Sequence, residues 1–243
     1  MIDTHCHLVP GVDDGPADQR EAIQLAESLA ADGVTGVVCT PHYARMFPFP
    51  WESAVERFAS LASALEASGT HFDLALAAEV HPALAVSAPP DELRRRSIAG
   101  SFALVEVLHD SPAPFFASAS AWLAEAGLLP IFAHPERCRA VQRHIGLIDE
   151  ARHHGALIQV VAPSLIGRWG DDVTAAAWRL VDTGRTDLIG SDAHGVRRRR
   201  VHLRQAADLI EEKVGPSVVD LLLEQNPRRI LSGTFEPPQG RSY

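Results

Sequence analysis

Short apolar runs, many of them β-branched, recur along this chain, and several of the gaps between them have helical spacing. The runs Met1–Thr4, Thr35–Thr40, Asp73–Ala78, Phe102–Val107, Leu129–Ala133, Leu157–Val161 and Asp187–Gly190 read as strands. Ala17–Ala31, Ser53–Ala67, Ser118–Ala126 and Thr174–Thr183 carry apolar residues three and four apart and read as helices, with Gly33, Gly69, Gly127 and Gly184 as stops. Strands joined through helices pair in parallel, because the crossover returns the chain to the same end of the sheet. The expected fold class is therefore α/β. An open dinucleotide-binding sheet would place a glycine-rich turn after its first strand, whereas this first strand runs into His5-Cys6-His7. A barrel of seven βα units is the better expectation. Residues 1–233 are expected to form one domain, with Ala83–Gly100 as an excursion on it. Residues 234–243, rich in Pro, Gly and polar side chains, are expected to fray.

Composition narrows the function. The 243 residues hold 31 acidic and 22 basic side chains, a formal net charge of −9, which argues against a general nucleic-acid or anionic-membrane binder. No stretch of ~18 apolar residues is present, so no membrane insertion is expected. The start of the chain lacks a basic segment followed by an apolar run, so no signal peptide is expected. Three cysteines, Cys6, Cys39 and Cys138, imply no disulfide framework and suit a reducing compartment. A cytoplasmic location is expected.

The residues reached as each strand ends carry the chemistry. The first strand gives His5 and His7 and its loop Asp13 and Asp14. The next four give His42, Glu79, Glu106 and His134, and the seventh gives Asp192 and His194. Strand six contributes no obvious ligand. In α/β barrels these ends converge on one mouth, and His5 and His7, two apart on a strand, share a face. Nitrogen and carboxylate donors suit Zn, Mn or Fe(II), and five His with four carboxylates exceed the needs of one ion. Two or three ions are implied.

These residues lie in motifs that resemble a known family. Asp3–Gly15 (DTHCHLVPGVDDG), Cys39–Tyr43 (CTPHY), Ala77–His81 (AAEVH), Ala103–Val107 (ALVEV), Phe132–Arg137 (FAHPER), Gly190–Gly195 (GSDAHG) and Asn226–Leu231 (NPRRIL) follow one another as in the polymerase and histidinol phosphatase (PHP) superfamily. More narrowly, they resemble its bacterial capsule-type protein-tyrosine phosphatases, of the CpsB/CapC/YwqE type. The resemblance implies a distorted (β/α)7 barrel with a trinuclear metal centre at the C-terminal mouth of the strands. Its ligands would be His5, His7, Asp14, His42, Glu79, Glu106, His134, Asp192 and His194, with Mn2+ the first choice and Fe or Zn as alternatives. Arg137 and Arg199 match two phosphate-holding arginines. The implied activity is hydrolysis of phosphotyrosine on a bacterial tyrosine kinase of polysaccharide export. This sequence departs from the pattern at Val161, where relatives often carry Asn, and in the stretches after Glu79 and Glu106.

Metal chemistry suits such a reaction, because divalent cations bind the oxygens that gain charge in the transition state and make hydroxide available near neutral pH. The expected mechanism is in-line attack by a metal-bound hydroxide, with Arg137 and Arg199 clamping the non-bridging oxygens. A metal-bound water, His81 or His109 would assist the leaving group. Three ions would add +6, taking −9 to −3, and would outweigh the four ligand carboxylates locally. Alternatives are a histidinol-phosphate or other small-molecule phosphatase, a metal-dependent nuclease and a non-catalytic metal-binding regulator. An amidohydrolase with a carboxylated lysine fails because Lys213, in a late helix, is the only lysine. Cys39 and Arg45 have the Cys-x5-Arg spacing of cysteine-dependent phosphatases, but Pro41 removes an N–H that such a phosphate cradle needs. In Arg197–Arg200, Arg199 is expected to turn inward and the others to be solvated, as is Arg94–Arg96. The aromatic loop Tyr43–Trp51 reads either as a lid that stacks on a substrate ring or as packing. The sequence leaves a homo-oligomer open.

Overall fold

The apolar runs become parallel strands whose inward-facing rows end in polar donors. The computed structural model describes residues 1–236. Its strands are β1 (Ile2–Cys6), β2 (Gly36–Cys39), β3 (His42–Tyr43), β4 (Asp73–Leu76), β5 (Glu79–Val80), β6 (Phe102–Glu106), β7 (Leu129–Ala133), β8 (Leu157–Val161) and β9 (Leu188–Gly190). One ladder runs β1-β2-β4 and a second runs β3-β5-β6-β7-β8-β9, every pair parallel.

Seven strands were expected; two further short strands, β3 and β5, follow β2 and β4 beyond the expected runs Thr35–Thr40 and Asp73–Ala78. Thr40-Pro41 separates β2 from β3, and Ala77-Ala78 separates β4 from β5. Pro41 has no N–H for a ladder, and the Ala78 N–H bonds to the Arg96 carbonyl instead (2.8 Å). Backbone bonds still cross the break, from Ala77 to Cys39 (2.9 Å), Glu79 to Pro41 (3.1 Å) and His81 to Tyr43 (3.1 Å). No ladder closes β9 on β1. There the Asp192 N–H donates to the His5 carbonyl and the His7 N–H to that of Ala193, both at 2.9 Å, with a single bridge from Cys6 to Ala193.

The period of two decides which residues meet inside. Val38, Ala77, Phe102, Leu104, Ile131, Ala133, Leu157, Leu188 and Ile230 form one buried cluster. Two residues further along stand Thr40 after Val38, Glu79 after Ala77, Glu106 after Leu104 and Gln159 after Leu157, with His42 two beyond Thr40. The opposite faces pack on the helices in the larger core, as with Val37, Ala103, Val105, Phe132, Ile158 and Val160. The helix Gln19–Ala31 buries Ala22, Leu25, Ala26 and Leu29, and the Asp18 side chain caps it by accepting the Glu21 N–H (2.9 Å).

The excursion Ala83–Gly100 contains part of a short helix, Pro82–Ala85, and a second, Pro90–Arg95. Its arginine run is not all solvated. Arg96 is buried, with its guanidinium carbon 4.1 Å from the Tyr43 ring centre and 5.0 Å from that of Trp51. Cation–π contact with two rings, together with an ion pair to Glu92, offsets the loss of water. Arg94 donates to the Ala126 carbonyl, and Arg95 alone of the three remains an exposed ion pair, with Glu52. At the chain's other end, Thr234 and Phe235 donate to the Arg229 carbonyl and Phe235 packs edge-on against Phe102. The rest of the segment expected to fray, 237–243, lies outside the described residues. No helix among the described residues is long and apolar enough to cross a membrane.

Candidate metal centre

The nine residues named as ligands converge at the C-terminal ends of the strands. His5 lies in β1, His42 in β3, Glu79 in β5 and Glu106 in β6, while His7, His134 and Asp192 follow β1, β7 and β9 directly or within two residues. They fall into overlapping groups whose donor atoms lie within 4.8 Å of one another: His7, Asp14, His42 and His194; His5, His134 and Asp192; His5, His7 and Glu79; His42, Glu79 and Glu106. Glu79 sits between the groups. Its Oε1 is 2.9 Å from His134 Nε2 and 3.5 Å from His5 Nε2, and its Oε2 is 3.0 Å from His42 Nδ1 and 3.5 Å from His7 Nε2. All nine are buried or half-buried except Asp14, which stands at the mouth.

Hydrogen bonds at the back of the histidines set which nitrogen faces forward. His5 Nδ1 donates to Gln159 Oε1 (2.7 Å), because the Gln159 amide is itself oriented by donating to Thr4 Oγ1 (2.9 Å). His7 Nδ1 donates to Asp13 Oδ2 (2.7 Å), which also accepts the His42 N–H (3.0 Å). Both Nε2 atoms therefore point forward, and they face each other at 3.3 Å. At that distance the pair needs a proton or a metal cation between them, and the Glu79 and Asp192 carboxylates beside His5 favour either positive charge. His134 Nδ1 is buried without a hydrogen-bond partner. The donor set fits divalent ions.

The electrostatics agree. Burial opposes ionisation of Glu79, yet His5, His134 and His42 hold its carboxyl well below the usual carboxylate range. Burial and then the neighbouring Glu79 charge push Glu106 up to about 7. His194 is driven down to about 4 by burial and by His7. Against burial, the Glu79 carboxylate pushes His5 and His42 up to about 9, so the cluster draws positive charge, as protons here or as a bound cation in their place.

Two guanidinium groups face the same carboxylate. Arg137 Nη1 lies 3.3 Å from Asp192 Oδ2, and Arg199 Nη2 lies 2.5 Å from both Asp192 oxygens. Arg197, Arg198 and Arg200 are exposed. Backbone strain collects here too: His134 (φ 41°), Asp192 (φ 52°) and Arg199 (φ 47°) are three of the four non-glycine residues with positive φ among those described. Gly190, just ahead of Asp192, has no room for a side chain, since a Cβ would stand 2.7 Å from that of His5.

Sequence reasoning passed over the residues behind the donors. Asp13 was grouped with Asp14 but acts on His7 and the His42 backbone; Gln159 fills the gap noted on strand six. Asp3 accepts the N–H groups of Ser191 (2.9 Å) and His5 (3.1 Å), tying β1 to the residue after β9. A polar residue inside a strand that is otherwise apolar was the available signal. Of the two rim histidines, His81 spends its Nδ1 on the Ala83 N–H (3.2 Å). The Cys39 thiol is fully buried and burial drives its pKa well up, which is the reverse of an activated nucleophile.

Residues 1–232 match the family model for capsular polysaccharide synthesis, CpsB/CapC. The chain belongs to the CpsB/CapC family. Among its relatives, the tyrosine-protein phosphatase YwqE of Bacillus subtilis is 28% identical over 98% of this chain and 96% of its own length. The putative tyrosine-protein phosphatase CapC of Staphylococcus aureus is 29% identical over 84% of this chain and 81% of its own. Among solved structures, one from work on YwqE of Bacillus subtilis and CpsB of Streptococcus pneumoniae, described as metal-dependent tyrosine phosphatases, superposes over 100% of both chains with a TM-score of 0.86 at 26% identity.

Proposed function

We propose that this protein is a metal-dependent protein-tyrosine phosphatase acting on a tyrosine kinase of polysaccharide export in the cytoplasm. The observation that carries the reading is the convergence of nine histidine and carboxylate donors, in overlapping groups whose atoms lie within 4.8 Å of one another, faced by two guanidinium groups. His5, His7, Asp14, His42, Glu79, Glu106, His134, Asp192 and His194 are the proposed ligands of two or three divalent ions, with Mn2+ first and Fe or Zn as alternatives. Bound there, such ions supply positive charge for the phosphoryl oxygens and lower the pKa of water. Arg137 and Arg199 leave Asp192 in part to bind the non-bridging oxygens, and their charge grows in value as those oxygens gain charge. Gln159 and Asp13 hold His5 and His7 in the tautomer that offers Nε2. Phe47, stacked on His42 at 5.2 Å and 5° between planes, walls the approach beside a cavity of about 220 Å3. The family match over residues 1–232 supports one catalytic unit spanning 1–233, and the bonds that carry β2 into β3 and β4 into β5 support reading the sheet as a distorted seven-stranded barrel.

The deciding experiment assays a phosphotyrosine peptide, histidinol phosphate and single-stranded DNA, each with Mn2+ and with chelator. Chelator-sensitive release of phosphate from the peptide, retained by Cys39→Ser and lost by His42→Ala, is the expected result. Preference for histidinol phosphate would move the reading to a small-molecule phosphatase. Absence of any chelator-sensitive phosphatase activity would overturn it.

A further inference from the structure

The arginine run after His194 is split by the fold. Arg199 turns inward, and its neighbours Arg197 and Arg200 line a second hollow of about 320 Å3 with Pro163, Arg168, Trp169 and His202. Arg199 is the wall this hollow shares with the candidate metal centre. Arg137 contacts one of its lining residues, with its guanidinium carbon 4.9 Å from the Trp169 ring centre. The hollow thus opens beside both proposed phosphate clamps.

Its charge is unopposed. Among the described residues, Arg168, Arg197 and Arg200 make no ion pair, although the chain as a whole carries −9. Burial, then the charges of Arg168 and Arg200, hold the His202 imidazole below its usual range, against the single opposing carboxylate of Asp32. Exposed arginines in an acidic protein ordinarily find carboxylates; three left over in one concavity make a local positive field that draws anions. Guanidinium forks match carboxylate and phosphate oxygens equally well, and the exposed Trp169 face offers apolar contact to a connecting chain.

We propose that this hollow is an anion subsite that takes a second negatively charged group of the substrate polypeptide, a carboxylate or a further phosphate, next to the phosphotyrosine being hydrolysed. The assignment of a phosphotyrosine substrate rests on the function proposed above; the subsite itself rests on the unpaired arginines. Arg168, Arg197 and Arg200 lie outside the proposed phosphate clamps, so they act on specificity and on capture.

The test compares wild type with the Arg168→Ala/Arg200→Ala double variant, both at exposed positions. Peptides carrying the non-hydrolysable phosphonomethyl-phenylalanine, flanked by glutamates, by phosphotyrosine or by alanines, are titrated by fluorescence anisotropy. Turnover of p-nitrophenyl phosphate and of the matching phosphotyrosine peptides is measured in parallel. Wild type is expected to bind the anionic-flank peptides roughly three- to tenfold more tightly than the alanine-flanked one, the range for two partly screened charge contacts. The double variant should lose that preference, through KM in the turnover assay, while p-nitrophenyl phosphate hydrolysis stays unchanged. Glutamate and phosphotyrosine flanks separate the two sources of charge. Equal binding of all three peptides by wild type, or a preference that survives in the double variant, overturns the subsite. Preferential binding by a wild type that hydrolyses no aryl phosphate would keep the subsite and sink the phosphatase reading.

Discussion

The donors themselves are ordinary residues, and what makes them a site is the atom behind each one. His5 and His7 present Nε2 only because Gln159 and Asp13 occupy their Nδ1 positions. A neutral imidazole without such a partner divides itself between two tautomers and two ring orientations. Gln159→Leu removes the acceptor at His5 while keeping similar volume. It is expected to weaken metal affinity about 10- to 100-fold, read as the Mn2+ concentration needed for half-maximal activity and by calorimetric titration. An unchanged requirement would mean that packing alone orients His5. The same scale explains the strained residues. His134, Asp192 and Arg199 sit at positive φ, a cost of order 1–3 kcal/mol each. Neighbouring backbone bonds hold the geometry, with His134 donating to the Gln159 carbonyl (2.8 Å) and Arg199 accepting from the His194 N–H (2.9 Å).

Elements matter where a strand or turn must deliver a side chain to the mouth. The short 3-10 turn Pro135–Arg137 carries Arg137, and Glu136 pins that turn to the end of β8. Its buried Oε1 accepts the Val161 N–H (3.1 Å) and the Ser164 hydroxyl (2.7 Å), leaving Oε2 without a partner. Burial pushes this carboxyl up from its usual 4.5 to about 7. The unfolded chain releases the proton at lower pH than the folded one, so this group's contribution makes stability fall as pH rises from about 4.5 to about 7. Glu136→Gln keeps an acceptor and removes the charge. The variant is expected to gain stability relative to wild type as pH rises across that window, measured by urea unfolding on either side of it. A constant difference would show that Glu136 keeps the same charge in both states.

The loop from Tyr43 to Trp51 is the second such element. Arg96 anchors both ends of it, against Tyr43 and Trp51, and this leaves Phe47 over His42. Phe47→Ala should raise KM for aryl phosphates about three- to tenfold, the usual worth of one aromatic contact, and leave small alkyl phosphates unaffected. Equal effects on both classes would make Phe47 a packing residue of His42.

At the scale of the whole molecule, the acidic balance and the proposed metal centre belong to one account. Part of the −9 is carboxylate gathered at the strand ends, and cations held there would neutralise it. Those cations bind the folded chain and not the unfolded one, so they stabilise it by about 3 kcal/mol per site at a hundredfold excess over Kd. Chelation is therefore expected to lower Tm by several degrees along with activity, and Mn2+ to restore both. A Tm that ignores chelator would mean that the donors do not hold metal under these conditions.

The alternation of strands and helices, the α/β class and the strand-end histidines and carboxylates were legible in the sequence, because side-chain period and residue chemistry are local properties. The inward turn of Arg199 was implied only by the family resemblance, since period and chemistry do not distinguish it from its neighbours in the run. The breaks that precede the extra strands β3 and β5 depend on Pro41 and on a carbonyl from the distant Arg96; only the first of these is local. Arg96 read as one of three solvated arginines because nothing nearby in the chain shows that Tyr43 and Trp51 will enclose it. Gln159 looked like a gap in the ligand pattern until β8 was laid next to β1. The sequence by itself determined which atoms were available to bind metal and phosphate. Only the tertiary structure decided which nitrogen each histidine offers and which arginines stay unpaired, because both depend on partners up to 154 residues away.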